Sequence, residues 1–253
     1  MNYINSDDDK AQWRAFHKKD SDESFTKNAK TFRDEMSNFV DYFASVLKKD
    51  EKDVEMLEKL SHNDKYPENV REKITHVVEL FKTSGDIYGW YGNVCMIALD
   101  INEYCYHIIL SKDEYEWRTF ARHIYTILYE QQNTLFQQLN KYIKESKGIG
   151  EYENPDFQNL KSLRDEFVSF INSYKDISKQ VRVNTDAHFD QDFRNRLKII
   201  EQLSYRSTIG ICVDYLEKVG ALMKVQMPFL IKMEERLTHE VTDVKEILVN
   251  SIE

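Results

Sequence analysis

The chain has 253 residues, a formal net charge of −9 and 41% hydrophobic residues, with only 7 glycines and 3 prolines. A sandwich or barrel of short strands needs many tight turns, so this low glycine and proline content argues against both folds. The sequence also lacks the phosphate-binding loops G-x-G-x-x-G and G-x-x-x-x-G-K-[ST]. The negative net charge disfavours indiscriminate binding to nucleic acid but permits a local basic cleft.

Hydrophobic periodicity predicts an all-α fold: a single helical bundle of seven to eight helices over residues 25–253. Residues 1–24 are crowded with Asp, Lys and Ser, and we predict a polar, mobile N-terminal arm there. Apolar residues at helical spacing predict a first helix from Phe25, followed by a separate short helix over Asp53–Ser61. Pro67 is predicted to open the next helix.

Three glycines are predicted to interrupt that helix: Gly85, Gly89 and Gly92. The following segment, Val94–Leu110, is apolar on almost every side. A helix with that pattern is usually the central one of a bundle, so we predict a central position for it.

Two further helices are predicted in the middle of the chain. Ser111-x-x-Glu114 is a capping-box pattern, and it predicts the start of a long helix over about residues 112–147. The next helix is predicted over Asp156–Gln180.

A long apolar stripe at spacings of mostly three and four residues predicts a long C-terminal helix, kinked near Pro228. The stripe consists of Val213, Leu216, Val219, Met223, Leu230, Met233, Leu237, Val241, Val244 and Leu248. No segment approaches the roughly 18 apolar residues of a transmembrane helix, and the N-terminal residues lack a signal-peptide pattern. We therefore expect a cytoplasmic protein that does not bind membranes.

Metal-binding patterns are absent from the sequence. None of the 7 histidines follows a glutamate by three residues, and H-E-x-x-H does not occur. Cys95, Cys105 and Cys212 fit no zinc spacing, and we interpret the first two as small core residues. We therefore expect no metal and no cofactor.

One short segment points to catalysis. Val181-Arg-Val-Asn-Thr-Asp-Ala-His-Phe-Asp190 places Arg182 six residues before His188. This segment resembles the R-x4-6-H signature of the HEPN superfamily, whose members are all-helical and include many metal-independent ribonucleases of prokaryotic defence and toxin–antitoxin systems. The resemblance implies a homodimer in which Arg182 engages RNA phosphate, His188 takes part in acid–base chemistry, and Asn184 orients either partner. The position after the arginine, usually polar in that family, is Val183 here.

A predicted helix break suits this segment to phosphate chemistry. Residues 184–186 are Asn, Thr and Asp, which favour helix caps over helix interiors, so we predict a new helix from about Ala187. Across a break, Arg182 and His188 can converge on one point, where a helix amino terminus offers N–H groups and a positive dipole end to phosphate. The same dipole disfavours imidazolium and keeps His188 available as a base.

Two other pairs have a similar spacing, Arg71 with His76 and Arg118 with His123. Both lie in strongly periodic segments, where a step of five helical residues turns by about 140° and separates the side chains. We therefore interpret both pairs as ordinary helix residues, solvated or partly packed.

Arg182 also has a structural alternative, a capped turn between helices in which it pairs with Asp186 or Asp190. Basic residues near the predicted break would form either a positive rim for RNA or a solvated helix face. These residues are Lys175, Lys179, Arg182, Arg194, Arg196 and Lys198.

Three functions stay open from the sequence. The first is a HEPN-like endoribonuclease with RNA as substrate and a cognate protein as a further partner. The second is a non-enzymatic protein–protein interaction module in which the C-terminal stripe packs on itself or on a partner. The third is a small-molecule binder, with an aromatic pocket in place of an aromatic core. The aromatic residues in question are Tyr88, Trp90, Tyr91, Tyr104 and Tyr106.

Overall fold

A computed structural model of the chain describes residues 23–148, 157–183 and 193–250. These residues form seven α-helices and no strand, which confirms the predicted all-α fold. In chain order the helices are α1 (Glu23–Ser61), α2 (Glu68–Leu110), α3 (Glu114–Gly148), α4 (Phe157–Ser173), α5 (Lys175–Val181), α6 (Phe193–Glu201) and α7 (Tyr205–Asn250). Within the described ranges, no helix combines the length and the apolar character needed to cross a membrane.

Helix α1 is longer than the sequence pattern indicated. The helix predicted from Phe25 and the short helix predicted over Asp53–Ser61 are one continuous element. The predicted boundary was wrong because the polar run Lys48–Lys52 interrupts the apolar pattern but contains neither glycine nor proline. Of the predicted N-terminal arm, residues 1–22 lie outside the described residues.

Helix α2 passes without a break through its three glycines, so the predicted interruption was also wrong. Two of them lie beneath α1: a Cβ atom on Gly92 would lie 3.7 Å from Phe43 Cβ, and one on Gly85 would lie 3.8 Å from Leu47 Cδ2. A glycine costs a helix about 1 kcal/mol relative to alanine. Packing of α2 against its neighbours outweighs that cost.

The predicted central position of Val94–Leu110 is confirmed. Helix α2, which contains this segment, packs against α1, α3 and α7. Val94, Ala98 and Ile101 are completely buried in it. Its start also agrees with the prediction, since Pro67 is the N-cap residue of α2 with extended backbone angles (φ −55°, ψ 150°).

The turn between α2 and α3 uses a different cap from the predicted one. Ser111 is the C-cap of α2, and its hydroxyl donates to the carbonyl oxygen of Ile108. At the start of α3, Asp113 Oδ1 accepts the N–H of Glu116 at 2.9 Å, and Glu116 Oε2 accepts the N–H of Lys112 at 2.7 Å. The capping interactions therefore lie two residues after the predicted Ser111 box, because Ser111 is already used by the preceding helix.

The predicted helix over Asp156–Gln180 is divided in two. Helix α4 ends at Ser173, a turn follows at Tyr174, and α5 begins at Lys175. The Ser173 hydroxyl donates to the carbonyl oxygen of Phe170 at 2.6 Å. Serine side chains compete in this way for backbone groups and favour helix ends, a local signal that the periodicity did not reveal.

Helix α7 confirms the predicted long C-terminal helix. It begins after Ser204, whose hydroxyl oxygen accepts the N–H of Ser207 at 3.3 Å, and it contains Pro228 in its interior. The kink predicted near Pro228 stays a prediction. Buried residues of all seven helices join in one hydrophobic core.

Candidate functional site

Arg182 is the one residue of the predicted catalytic set that lies within the described residues. It is the C-cap of the short helix α5, with helical backbone angles (φ −59°, ψ −46°), and its N–H bonds to the carbonyl oxygens of Ser178 and Lys179. The backbone at this point is thus held by hydrogen bonds within α5. Helix α5 in turn packs against α3.

The guanidinium of Arg182 forms an ion pair with a helix distant in sequence. Its Nε donates to Glu130 Oε1 on α3 at 2.5 Å, and the two side chains are 29% and 55% exposed. An ion pair this exposed contributes at most about 1 kcal/mol to stability. It does orient the guanidinium while leaving the side chain within reach of solvent.

Glu130 was missed in the sequence because it lies 52 residues before Arg182. The predicted partners of Arg182, Asp186 and Asp190, lie outside the described residues. No pattern within a single helix could have indicated Glu130, because the contact depends on how α3 and α5 pack together.

Asn184 and His188 also lie outside the described residues, as does the predicted helix start at Ala187. Convergence of Arg182 with His188 therefore stays a prediction.

Arg118 shows what a structural arginine looks like in this fold. Its Nη2 donates to Glu114 Oε1 at 2.6 Å, and its Nη1 donates to the carbonyl oxygen of Ile200 near the end of α6. The guanidinium lies 4.8 Å from the centre of the Trp117 ring, and the residue is only 5% exposed. We therefore assign Arg118 to holding α6 against α3.

The histidines of the two other pairs make contacts different from those of Arg118. His123 stacks on the Tyr104 ring with the centroids 5.2 Å apart, and His76 is exposed on α2. Arg71 Nη1 bonds to Asp64 Oδ1 at 3.1 Å. Both pairs lie in continuous helices, and the interpretation as solvated or partly packed residues is confirmed for Arg71, His76 and His123. It was wrong for Arg118, which is buried between helices because its guanidinium meets a backbone carbonyl of α6.

The basic residues around α5 and α6 are largely solvent-facing. The two helices contact each other. The exposed members of the set are Lys175, Lys179, Arg194 and Lys198, while Arg182 and Arg196 are half-buried. A positive rim for RNA and a solvated face are both consistent with this exposure.

Three of the five aromatic residues singled out in α2 are core residues, while Tyr104 and Tyr106 are half-buried. Tyr88, Trp90 and Tyr91 are buried, and the Tyr88 hydroxyl donates to the carbonyl oxygen of Leu230 at 2.9 Å. Trp90 and Tyr91 meet edge to face with centroids 4.6 Å apart. These three rings are therefore occupied in packing, which removes the motive for a small-molecule pocket lined by them.

The apolar stripe of α7 is covered within the chain from Val219 onward. Every stripe residue from Val219 to Leu248 is buried. Leu216 is partly buried, and Val213 is 38% exposed, so the predicted stripe begins too early. Because these side chains already pack against the helices of the same chain, the interaction hypothesis loses its main support.

Open cavities lie along α7 in the described part of the chain. One, of about 650 Å³, lies between α4 and α7 and is lined by residues including Glu166, Phe170 and Lys218. Another, of about 330 Å³, is more apolar and is lined by residues including Phe32 and Val213.

The cysteines are all buried, as predicted for the first two. Burial raises the pKa of Cys95 to about 12 and raises the pKa of Cys212 well above its ordinary value. A thiol that stays protonated is a poor nucleophile. In the described part of the chain, no group of three or more His, Cys, Asp or Glu side chains is arranged to hold a metal ion.

Comparison with known proteins gives no information about the function of this site. No family model matches the chain, and no curated protein or solved structure is significantly similar to it.

Proposed function

We propose that the protein is a metal-independent endoribonuclease that resembles the HEPN superfamily, with Arg182 holding phosphate, His188 acting as acid and base, and Asn184 orienting either. The observation that carries the proposal is the position of Arg182. Arg182 lies at the end of α5, and Glu130 on α3 orients its guanidinium. The side chain nevertheless remains partly exposed. A guanidinium has five N–H groups in a planar fork, more than one carboxylate can occupy, and this fork suits phosphate oxygens.

The proposed reaction needs only these side chains and the RNA. His188 removes the proton of a ribose 2′-hydroxyl, whose oxygen attacks the adjacent phosphorus. Arg182 stabilises the negative charge that develops on the phosphoryl oxygens. The bond from phosphorus to the 5′-oxygen breaks, and protonated His188 returns a proton to that oxygen. The products are a 2′,3′-cyclic phosphate and a 5′-hydroxyl end.

The surroundings of Arg182 also support an RNA substrate. Exposed Lys175 and Lys179 lie on α5, which ends at Arg182, and exposed Arg194 and Lys198 lie on α6, which contacts α5. Such cations attract the phosphate backbone without regard to sequence. The homodimer and the cognate protein partner implied by the resemblance belong to the same proposal.

The test is cleavage of total RNA by the purified protein in the presence of a metal chelator. His188→Ala and Arg182→Ala should each abolish cleavage, because one removes the base and the other the phosphate donor. Matched controls are His76→Ala and Arg206→Ala, which change an exposed histidine and an exposed arginine elsewhere. Equal cleavage by all variants, or none by the parent protein, would overturn the proposal.

A further inference from the structure

Asp50 is a carboxylic acid located in the core of the bundle. It is 5% exposed, and its Oδ2 is completely buried with no hydrogen-bond partner among the described residues. Val46 and Leu57, four residues before it and seven after it, share its face of α1 and are buried core residues. An ionised carboxylate without a donor is costly in such a place, whereas the protonated acid is tolerated more easily.

The surroundings of Asp50 link α1 to α7. The Tyr42 hydroxyl donates to Glu234 Oε2 at 3.0 Å, and Lys49 Nζ donates to Glu234 Oε1 at 3.3 Å. Lys49 Nζ also donates to Thr238 Oγ1 at 3.0 Å. The only cation in this set, Lys49, is therefore already engaged with α7.

The charges around Asp50 are mostly negative. The pKa of Asp50 is raised to about 7, mainly by burial; Lys49 lowers this pKa, while Glu234 and Asp53 contribute to raising it. Burial, followed by the hydrogen bond to Glu234, also raises the pKa of Tyr42, so its hydroxyl stays a donor at neutral pH. The titratable groups that act on the pKa of Asp50 are thus Lys49 and Asp53 on α1 and Glu234 on α7, and Asp50 in turn raises the pKa of Tyr42. Helix α2 packs against α1 at Phe43, two turns before Asp50 on the same face, and none of the described residues of α2 is among these groups.

We propose that Asp50 is a proton-binding site that makes the side-chain contacts between α1 and α7 sensitive to pH. In the acidic range Asp50 is uncharged, and its burial costs little. As the pH rises, the proton leaves, and the carboxylate remains buried without a hydrogen-bond donor to Oδ2, where the negative charges of Glu234 and Asp53 disfavour it. The contact between α1 and α7 then weakens.

The direction of the effect follows from linkage. A folded-state pKa raised above the ordinary value means that the folded protein binds the proton more tightly than the unfolded chain does. The contribution to stability is therefore complete below the ordinary pKa of aspartic acid and is lost as the pH rises through about 7.

The direct test is titration of the Asp50 carboxyl carbon by NMR in the full chain, labelled at aspartate and assigned with Asp50→Asn. We expect a midpoint near 7. Glu234→Gln should lower the midpoint because it removes a negative neighbour, and Lys49→Met should raise it because it removes the positive one. A purely structural role for these side chains would not shift the midpoint in opposite directions. A midpoint below about 5, the ordinary range for aspartate, would overturn the proposal.

A second measurement follows the helices themselves. Amide hydrogen exchange of α1 and α7 at pH 6 and pH 8, corrected for the intrinsic rates, should show about a tenfold loss of protection at the higher pH. Asp50→Asn should abolish this loss, whereas Asp41→Asn, at an exposed position of the same helix, should preserve it. Equal pH dependence in both variants would show that Asp50 is not the responsible group. Neither measurement depends on nuclease activity, so the outcome is independent of the proposed function.

Discussion

Arg118 and Arg182 both precede a histidine at similar spacing, yet the fold places them in opposite environments. Arg118 is buried and joins Glu114 to the carbonyl oxygen of Ile200. Arg182 is partly exposed and meets Glu130 in an ion pair at the surface. The comparison shows that burial, rather than spacing from a histidine, separates an arginine that holds helices together from one that a ligand can reach.

The largest change in the free energy of unfolding is expected for the buried Arg118. Arg118→Ala leaves the Glu114 carboxylate and the Ile200 carbonyl oxygen without their guanidinium donor, and we expect unfolding to become easier by about 3 kcal/mol. Urea denaturation followed by circular dichroism measures the change. Arg206→Ala, at an exposed position of α7, is the control and should be nearly neutral. A loss below about 1 kcal/mol at Arg118 would contradict its assigned role.

Asp50 is a buried acid that, unlike Arg118, has a side-chain atom without a hydrogen-bond partner among the described residues. Because its pKa is raised from 3.8 to about 7, the free energy of unfolding should fall as the pH rises from 5 to 8. The expected fall from this group is about 2–3 kcal/mol. Denaturation curves at the two pH values measure it, and in Asp50→Asn the same fall should disappear. Parallel pH profiles for the parent and Asp50→Asn would count against a buried, proton-binding carboxyl.

Gly89→Ala tests how much an uncharged substitution inside a helix changes the free energy of unfolding, for comparison with the charged residues above. Gly89 lies inside α2, and a Cβ atom there would meet no other atom within 4 Å. Gly89→Ala should therefore raise the free energy of unfolding by about 0.5–1 kcal/mol, since alanine loses less backbone entropy in a helix. Gly210→Ala in α7, where the space is also open, should behave alike. A decrease in stability at both positions would show that the helices need these glycines for another reason.

The smallest effect on the free energy of unfolding is expected at Arg182, which is half-buried at the surface. Arg182→Ala removes only a surface ion pair, so the free energy of unfolding should change by less than about 1 kcal/mol. The same variant should lose RNA cleavage if Arg182 binds phosphate. Thermal unfolding measured on the sample used for cleavage separates the two effects. A large loss of stability would place Arg182 with Arg118 as a structural residue.

Much of the fold was predictable from the sequence, and the errors have a common cause. Apolar spacing located the helical segments and the central part of α2. It misplaced boundaries wherever local chemistry and apolar pattern disagreed. The polar run Lys48–Lys52 was mistaken for a gap in α1, and apolar residues at helical spacing on both sides of Ser173 hid the turn that follows it. Of the candidate site, Arg182 alone lies in the described residues, and its Glu130 partner was not predictable from the sequence.

The sequence by itself determined that the chain is helical and which faces of the long helices are apolar, because helical hydrogen bonds and side-chain periodicity act over a few residues. The tertiary structure alone decided which charged side chains are buried. The contacts of Arg118 with Ile200 and of Tyr42 with Glu234 join residues 82 and 192 positions apart. Such contacts exist only after the helices pack, and that packing leaves Asp50 in the core and Arg182 at the surface.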